Sequence, residues 1–176
     1  MDVLLVGGGG REHALVKKLR ESAEIDRLYA LPGNAGMEPD AVGVPIAATD
    51  IDGIVRFAAE SRVGYAIVAP DDPLVLGAVD RLTAAGVPCF GPTAAAAAIE
   101  GSKSFAKRLM EKYGIPTARY RVFSSADAAL AYARAENRPL VVKADGLALG
   151  KGVAICPDFA AAEAAIVSMM VDRAFG

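Results

Sequence analysis

The sequence has little cysteine and histidine. Among its 176 residues, the only ones are Cys89, Cys156 and His13. The two cysteines have neither CxxC spacing nor a histidine close by, which is not the pattern of a zinc site or a disulfide framework. We therefore expect both to be small buried apolar residues, and we expect a reduced, cytoplasmic protein.

Strong charge and long apolar runs are also missing. The net charge is −2, and lysine and arginine are dispersed along the chain, so we expect no nucleic-acid partner. No segment approaches the roughly 20 apolar residues of a membrane-spanning helix. The short apolar run near the start has no basic residues before it, unlike a signal peptide. With 53% hydrophobic and 23% charged residues, the chain is typical of a globular protein without a membrane partner.

The sequence does show a regular alternation of short apolar strands and amphipathic helices. Such alternation is typical of a mostly parallel sheet with right-handed crossovers. We predict the α/β class, with a Rossmann-like substrate-binding domain over residues 1–100 whose ligands bind at the carboxyl ends of the strands. The predicted strands are 3–6, 27–30, 65–68 and 89–90, and the predicted helices are 12–22, 51–61, 74–85 and 94–100.

The regular alternation of strands and helices changes beyond residue 100. We interpret residues 101–118 as a helical linker and residues 119–176 as a second, smaller unit. The predicted elements here are helix 102–113, strand 119–123, helix 126–136, strands 139–143 and 153–156, and helix 159–171.

Four consecutive glycines, Gly7 to Gly10, connect the first strand to the first helix. The N–H groups of such a turn and the positive end of the helix dipole favour an anion, so we predict a phosphate site. A dinucleotide is disfavoured, because the G-x-G-x-x-G fingerprint would place Glu12 or His13 where a third small residue is needed. The alternative is a turn that only permits tight packing. His13 is expected to pack or hydrogen-bond locally.

A second glycine-rich loop runs from Lys143 to Gly152. Lys143 ends a predicted strand and Lys151 lies within the loop, so the loop is suited to close over phosphate groups. It is not a Walker A loop, because the GK[ST] ending is missing. The alternative is a hairpin with a solvated lysine.

A third pattern places Ser102 as a helix cap and Lys103 in the first helical turn. The helix dipole disfavours a cation there unless a phosphate lies close by. The alternative is an exposed lysine with no ligand.

Five motifs occur in an order that is itself specific: Val6 to Leu15, Pro32 to Gly36, Phe90 to Thr93, Glu100 to Lys103 and Lys143 to Val153. With these motifs, the sequence resembles the phosphoribosylamine–glycine ligase family of de novo purine biosynthesis, whose members are ATP-grasp enzymes, from residue 1 to residue 176. One departure is Ala69-Pro70-Asp71, where the family usually reads Gly-Pro-Glu, so the carboxylate of Asp71 reaches less far.

The resemblance implies a reaction and a set of roles. ATP would activate glycine as glycyl phosphate, and 5-phosphoribosylamine would displace phosphate to give glycinamide ribonucleotide. The implied cofactor is Mg²⁺ or Mn²⁺, bound mainly by residues missing from this chain, and the implied partners are these small molecules, with the protein a monomer. The substrate-facing residues are Gly9, Gly10, Arg11, Glu12, Asn34 and Asp71. The ATP-binding residues are Lys103, Lys143, Gly146, Gly150, Lys151 and Gly152, of which Lys143 and Lys151 are the catalytic residues.

Family members are much longer than this chain. We therefore expect an inactive N-terminal fragment, in which an incomplete ATP-grasp lid subdomain follows the Rossmann-like domain and leaves a strand edge unpaired. Two alternatives stay open: another ATP-grasp ligase or carboxylase, and a stand-alone sugar-phosphate-binding domain. A dinucleotide-dependent dehydrogenase domain ranks last.

Overall fold

The computed structural model describes residues 1–148 and 151–175. The chain divides into two compact units, Met1–Gly101 and Ser102–Gly176, each of which is described by itself. The three-part division expected from the sequence, with a separate linker over 101–118, stays a prediction.

The first unit is built on a five-stranded parallel sheet with the strand order β3-β2-β1-β4-β5. This order and direction confirm the predicted α/β, Rossmann-like class. The strands are β1 (Val3–Gly7), β2 (Leu28–Pro32), β3 (Val42–Gly43), β4 (Tyr65–Val68) and β5 (Cys89–Phe90). The helices are α1 (Gly10–Arg20), α2 (Ile51–Glu60), α3 (Asp71–Val75), α4 (Ala78–Ala84) and α5 (Ala94–Gly101), with a 3-10 turn at Ala35–Met37.

The central strand β1 is buried on both faces, because its side chains alternate between two apolar clusters. Leu4 and Val6 pack in a cluster that includes Ile54 of α2. Val3 and Leu5 pack in a second cluster that includes Val16 of α1. The glycine loop follows β1 directly, so the packing of this buried strand also positions the loop.

In the second unit, the described residues form an antiparallel pair of strands and three helices. The strands are β6 (Leu140–Lys143) and β7 (Val153–Cys156), and the helices are α6 (Lys103–Lys112), α7 (Ala126–Glu136) and α8 (Phe159–Met170). One face of the pair packs on α7 and α8 around Cys156 and Ile166. The other face leaves Val141, Val153 and Ile155 exposed, the last to 82%.

Several predicted elements differ from the observed ones. The predicted strand 119–123 is irregular, because β6 and β7 pair with each other and this segment has no ladder partner within residues 1–148 and 151–175. The predicted helix 74–85 is two helices, α3 and α4, separated at Gly77, whose φ of 82° is unsuited to a helix interior. Helix α1 begins two residues earlier than predicted, and β3 was not predicted at all.

None of the described helices is both long and apolar enough to cross a membrane.

Candidate functional site

The glycine loop after β1 is shaped by close contacts within the first unit. A Cβ at Gly7 would lie 2.4 Å from Cγ of Glu12, and one at Gly8 would lie 2.6 Å from the carbonyl oxygen of Gly33. These two glycines are therefore required by packing. At Gly10 a Cβ would meet nothing within 4 Å. The open space beside Gly10 is where a ligand can approach the backbone.

Glu12 is buried, with 8% of its surface exposed, and it folds back onto the loop. Its Oε2 accepts a hydrogen bond from the N–H of Gly9 at 2.8 Å, which stabilises the start of α1. The N–H of Gly9 is thus already used. The next three N–H groups, those of Gly10, Arg11 and Glu12, have no carbonyl partner within the helix, because the first helical bond is donated by His13. The side chain of Arg11 is exposed.

Asn34 is placed against the same loop by the neighbouring strand, since Gly7 of β1 pairs with Pro32 of β2. Its Nδ2 donates to the carbonyl oxygen of Gly8 at 2.9 Å, and its Oδ1 accepts from the N–H of Gly36 at 2.8 Å. The amide of Asn34 therefore holds the ends of β1 and β2 together, a role the sequence alone did not indicate.

His13 lies one turn into α1 and packs beside Gly36, where a Cβ would stand 2.6 Å from Cε1 of the ring. Its Nε2 is buried and has no hydrogen-bond partner among the described residues. The expected local packing is confirmed, but the expected local hydrogen bond is not found at this nitrogen.

Asp71 opens α3 directly after β4 and is exposed. Since β4 pairs with β1 through Val6 and Val68, Asp71 belongs to the same edge of the sheet as the glycine loop. The structure thus brings the predicted substrate-facing residues to one edge of the first unit.

In the second unit, Lys103 contacts the loop that follows β6. Ser102 caps α6 by accepting the N–H of Phe105 at 3.1 Å, which confirms the predicted cap. The Nζ of Lys103 donates to the carbonyl oxygen of Gly146 at 2.8 Å. Two motifs that are 43 residues apart in sequence are therefore in direct contact.

Asp145 joins the same two motifs, although the sequence analysis did not select it. Its carboxylate accepts from the N–H and the hydroxyl of Ser104 at 3.1 and 2.6 Å, and from the N–H of Gly146 at 3.1 Å. The Oγ of Ser102 lies 3.2 Å from both carboxylate oxygens. Burial raises the pKa of this carboxyl, but the hydrogen bonds from Ser104, Ser102 and Gly146 outweigh it and hold the pKa below its ordinary value. Nothing in the sequence pairs Asp145 with the two serines that flank Lys103, because they lie more than 40 residues away.

The other predicted residues of this loop lie around the β6–β7 connection. Lys143 is exposed at the end of β6, on the same uncovered face as Val141. Lys151 is exposed, and its N–H donates to the carbonyl oxygen of Ala148 at 2.8 Å. Gly152 is buried beside Ala148 and Gly146 has a φ of 95°, which favours glycine. Gly150 lies outside the described residues.

Two further observations concern metal binding and the clefts of the second unit. Within residues 1–148 and 151–175, no group of three or more His, Cys, Asp or Glu side chains could hold a metal ion. A cleft of about 890 Å³ in the second unit lies between the end of α6, the 114–121 segment and α7. None of the predicted site residues lines it.

Family models match the whole chain. Residues 1–100 match the model described as phosphoribosylglycinamide synthetase, N domain. Residues 101–176 match the model of the ATP-grasp (A) domain of the same enzyme. The chain belongs to the phosphoribosylglycinamide synthetase family.

Individual members of the phosphoribosylglycinamide synthetase family agree with this assignment. Over the whole chain, the sequence is 51% identical to a phosphoribosylamine–glycine ligase of Allochromatium vinosum and 49% identical to one of Yersinia pestis. The crystal structure of the Thermotoga maritima ligase is similar to 99% of this chain and matches over 41% of its own length, with a TM-score of 0.78 and 28% identity. The chain spans about 42% of the length of these curated relatives. The resemblance inferred from the motifs is confirmed.

Proposed function

We propose that this chain forms part of an enzyme that joins glycine to 5-phosphoribosylamine at the expense of ATP, giving glycinamide ribonucleotide, ADP and phosphate. The observation that carries the proposal is the 51% identity, over the entire chain, to a phosphoribosylamine–glycine ligase. Two glycine loops suited to phosphate groups, one in each unit, support it. We also propose that the protein is a cytoplasmic monomer.

The chemistry requires activation of a carboxylate, which has no usable leaving group. An oxygen of the glycine carboxylate attacks the γ-phosphorus of ATP, the bond to the β–γ bridging oxygen breaks, and ADP leaves. The amine of phosphoribosylamine then attacks the carbonyl carbon of glycyl phosphate, phosphate leaves, and the nitrogen loses a proton as the amide forms. Most of the protein's contribution to such a reaction is positioning and neutralisation of charge.

The first unit is proposed to hold the sugar phosphate. The N–H groups of Gly10 and Arg11 at the start of α1 are available for a phosphate, the helix dipole favours its charge, and Arg11 adds a guanidinium. Gly9, Glu12 and Asn34 are proposed to shape this loop as well as to face the substrate. Asp71, at the next strand end, is proposed to contact the ribose.

The second unit is proposed to hold the phosphates of ATP. Lys103, Lys143 and Lys151 would neutralise them, with Lys143 and Lys151 acting on the transferring phosphoryl group, and Gly146, Gly150 and Gly152 would let the loop backbone approach. A Mg²⁺ or Mn²⁺ ion would stabilise the charge on the transferring phosphate when bound. We propose that its ligands come from the part of the longer relatives that this chain does not match.

The test is a phosphate-release assay on two proteins. A full-length protein that contains this segment should release phosphate only with ATP, a divalent metal, glycine and phosphoribosylamine together. The 176-residue chain should release none above background. Activity with formate or bicarbonate in place of glycine would instead indicate another ATP-grasp ligase or carboxylase. Turnover by the chain alone would contradict the proposed division of the site.

A further inference from the structure

Helix α6 starts with an unfavourable charge. Lys103 occupies the first helical position, where the positive end of the helix dipole repels a cation. Asp145 supplies the opposite charge from a segment about 40 residues away, because its carboxylate accepts both the N–H and the hydroxyl of Ser104. The start of α6 is therefore stabilised from the loop after β6.

The same loop also holds the other end of the Lys103 side chain. The carbonyl oxygen of Gly146 accepts the Nζ of Lys103 at 2.8 Å, and the N–H of Gly146 donates to Asp145 at 3.1 Å. Ser104, Asp145, Gly146 and Lys103 thus form a closed ring of contacts. A lysine ammonium has three N–H donors, so the bond to Gly146 leaves two for a ligand.

Two other carboxylate caps, those of α2 and α8, differ from this arrangement, whereas Asp80 of α4 also serves another helix by accepting the N–H of Ala94, the first residue of α5, at 2.8 Å. Asp158 caps α8 through the N–H of Ala161 at 2.9 Å, and Asp50 caps α2 through the N–H of Gly53 at 2.9 Å. Both carboxylates serve the helix that follows them directly. The carboxylate of Asp145 instead connects a helix to a distant loop, and a helix cap alone does not require that connection.

We propose that Asp145 is a positioning residue, which couples the first turn of α6 to the glycine loop and so sets where the ammonium of Lys103 meets the phosphates of ATP. This inference rests on the proposed function, because it takes Lys103 to be an ATP-binding residue. In this proposal, Asp145 acts through Lys103 and not by contact with the nucleotide.

Two substitutions of Asp145 separate the effect of its negative charge from the effect of its hydrogen bonds. Asp145→Ala removes both carboxylate oxygens from the ring and leaves the carbonyl oxygen of Gly146. Asp145→Asn keeps Oδ1, which accepts both backbone N–H groups, and removes the charge. In the full-length protein, we expect Asp145→Ala to raise the KM for ATP about tenfold, since bonds to a charged group are worth about that factor. Asp145→Asn should restore part of this loss, and the KM values for glycine and phosphoribosylamine should not change.

The matched control is Asp158→Ala, which removes a carboxylate cap from α8 in the same unit. It should lower the melting temperature and leave the KM for ATP unchanged. An ATP effect of the same size in Asp158→Ala would overturn the proposal, because loss of any cap would then suffice.

A double-substitution cycle tests the coupling directly. If Asp145 acts through Lys103, adding Asp145→Ala to Lys103→Met should raise the KM for ATP no further. Additive effects would refute the coupling. An unchanged KM for ATP in Lys103→Met alone would instead show that the proposed nucleotide site is wrong, which is a different failure.

Hydrogen exchange provides a readout without catalysis. In the 176-residue chain, Asp145→Ala should speed exchange at the amides of Ser104 and Gly146, and Lys103→Met should speed it at residues 144–148. Unchanged exchange at Gly146 in both variants would refute the ring of contacts. If Asp145→Ala does not fold, the comparison of Asp145→Asn with Asp158→Asn decides the question by the same measurements.

Discussion

The carboxylate of Glu12 accepts a hydrogen bond from the N–H of Gly9 at 2.8 Å, so an acidic side chain beside a proposed phosphate site is held against the glycine loop. Glu12 is also the group that a side chain at Gly7 would strike. One carboxylate therefore explains why the loop needs glycine at its start and how α1 begins at Gly10.

We predict that Glu12→Ala destabilises the first unit by about 1 kcal/mol, as loss of a helix cap does. The N–H of Gly9 would lose its partner and a buried space would open beside Gly7. Glu12→Gln keeps an acceptor oxygen and should recover most of the stability. Glu60→Ala, at an exposed position at the end of α2, is the control and should change the free energy of unfolding by less than about 0.5 kcal/mol. Urea unfolding checks all three values.

A second prediction separates the ligand role of the loop from its packing role. Gly10→Ala should leave stability unchanged, because a Cβ there meets nothing within 4 Å, but it should weaken binding of glycinamide ribonucleotide about tenfold by intruding on the phosphate. Gly8→Ala should destabilise the fold by about 1–3 kcal/mol, because its Cβ would lie 2.6 Å from the carbonyl oxygen of Gly33.

Isothermal titration calorimetry and urea unfolding on the same two variants provide the measurements. If Gly10→Ala bound the ribonucleotide as tightly as the unsubstituted chain, the loop would serve packing alone.

Part of the fold could be predicted from the sequence, and part of it could not. The parallel sheet and the position of β1 were predictable, because a continuous apolar run such as residues 3–6 is typical of a strand covered on both faces. The break at Gly77 was missed, because an apolar helical pattern continues through it on both sides. The predicted strand 119–123 failed for a different reason: its composition favours extended backbone, but a strand forms only when a partner is available.

Some residues of the candidate site could likewise be predicted from the sequence, and others could not. Lys103, Lys143 and the glycines could be selected because their residue types and order carry information along the sequence. Asp145 could not, because its partners Ser102 and Ser104 lie more than 40 residues away and only the folded chain brings them together. The use of Asn34 to hold Gly8 is hidden for the same reason.

A third prediction concerns Lys143, which is exposed at the end of β6 on the uncovered face of the strand pair. In the full-length protein, Lys143→Ala should raise the KM for ATP and lower kcat by about 10- to 1000-fold, since a lost charge contact to a developing transition state costs that much. Binding of phosphoribosylamine should be unaffected. Lys112→Ala, at the end of α6 in the same unit, is the control and should leave both constants unchanged.

Steady-state kinetics with each substrate varied in turn checks this pattern. A loss confined to phosphoribosylamine binding would place Lys143 in the other subsite.

The last prediction follows from the lowered pKa of Asp145. Because hydrogen bonds from Ser104, Ser102 and Gly146 hold the pKa of the folded carboxyl below its ordinary value of 3.8, the unfolded chain takes up the proton first as the pH falls. The stabilising contribution is therefore complete above the unfolded pKa and is lost as the pH falls through the folded pKa. In urea unfolding, Asp145→Asn should therefore weaken the dependence of the free energy of unfolding on pH below about pH 5. The pKa of Glu136 is likewise lowered by hydrogen bonds from Arg138 and Tyr132, so Glu136→Gln should weaken this dependence separately and additively. If Asp145→Asn kept the full acid dependence, the carboxylate at the start of α6 would not be stabilising the folded second unit through its charge.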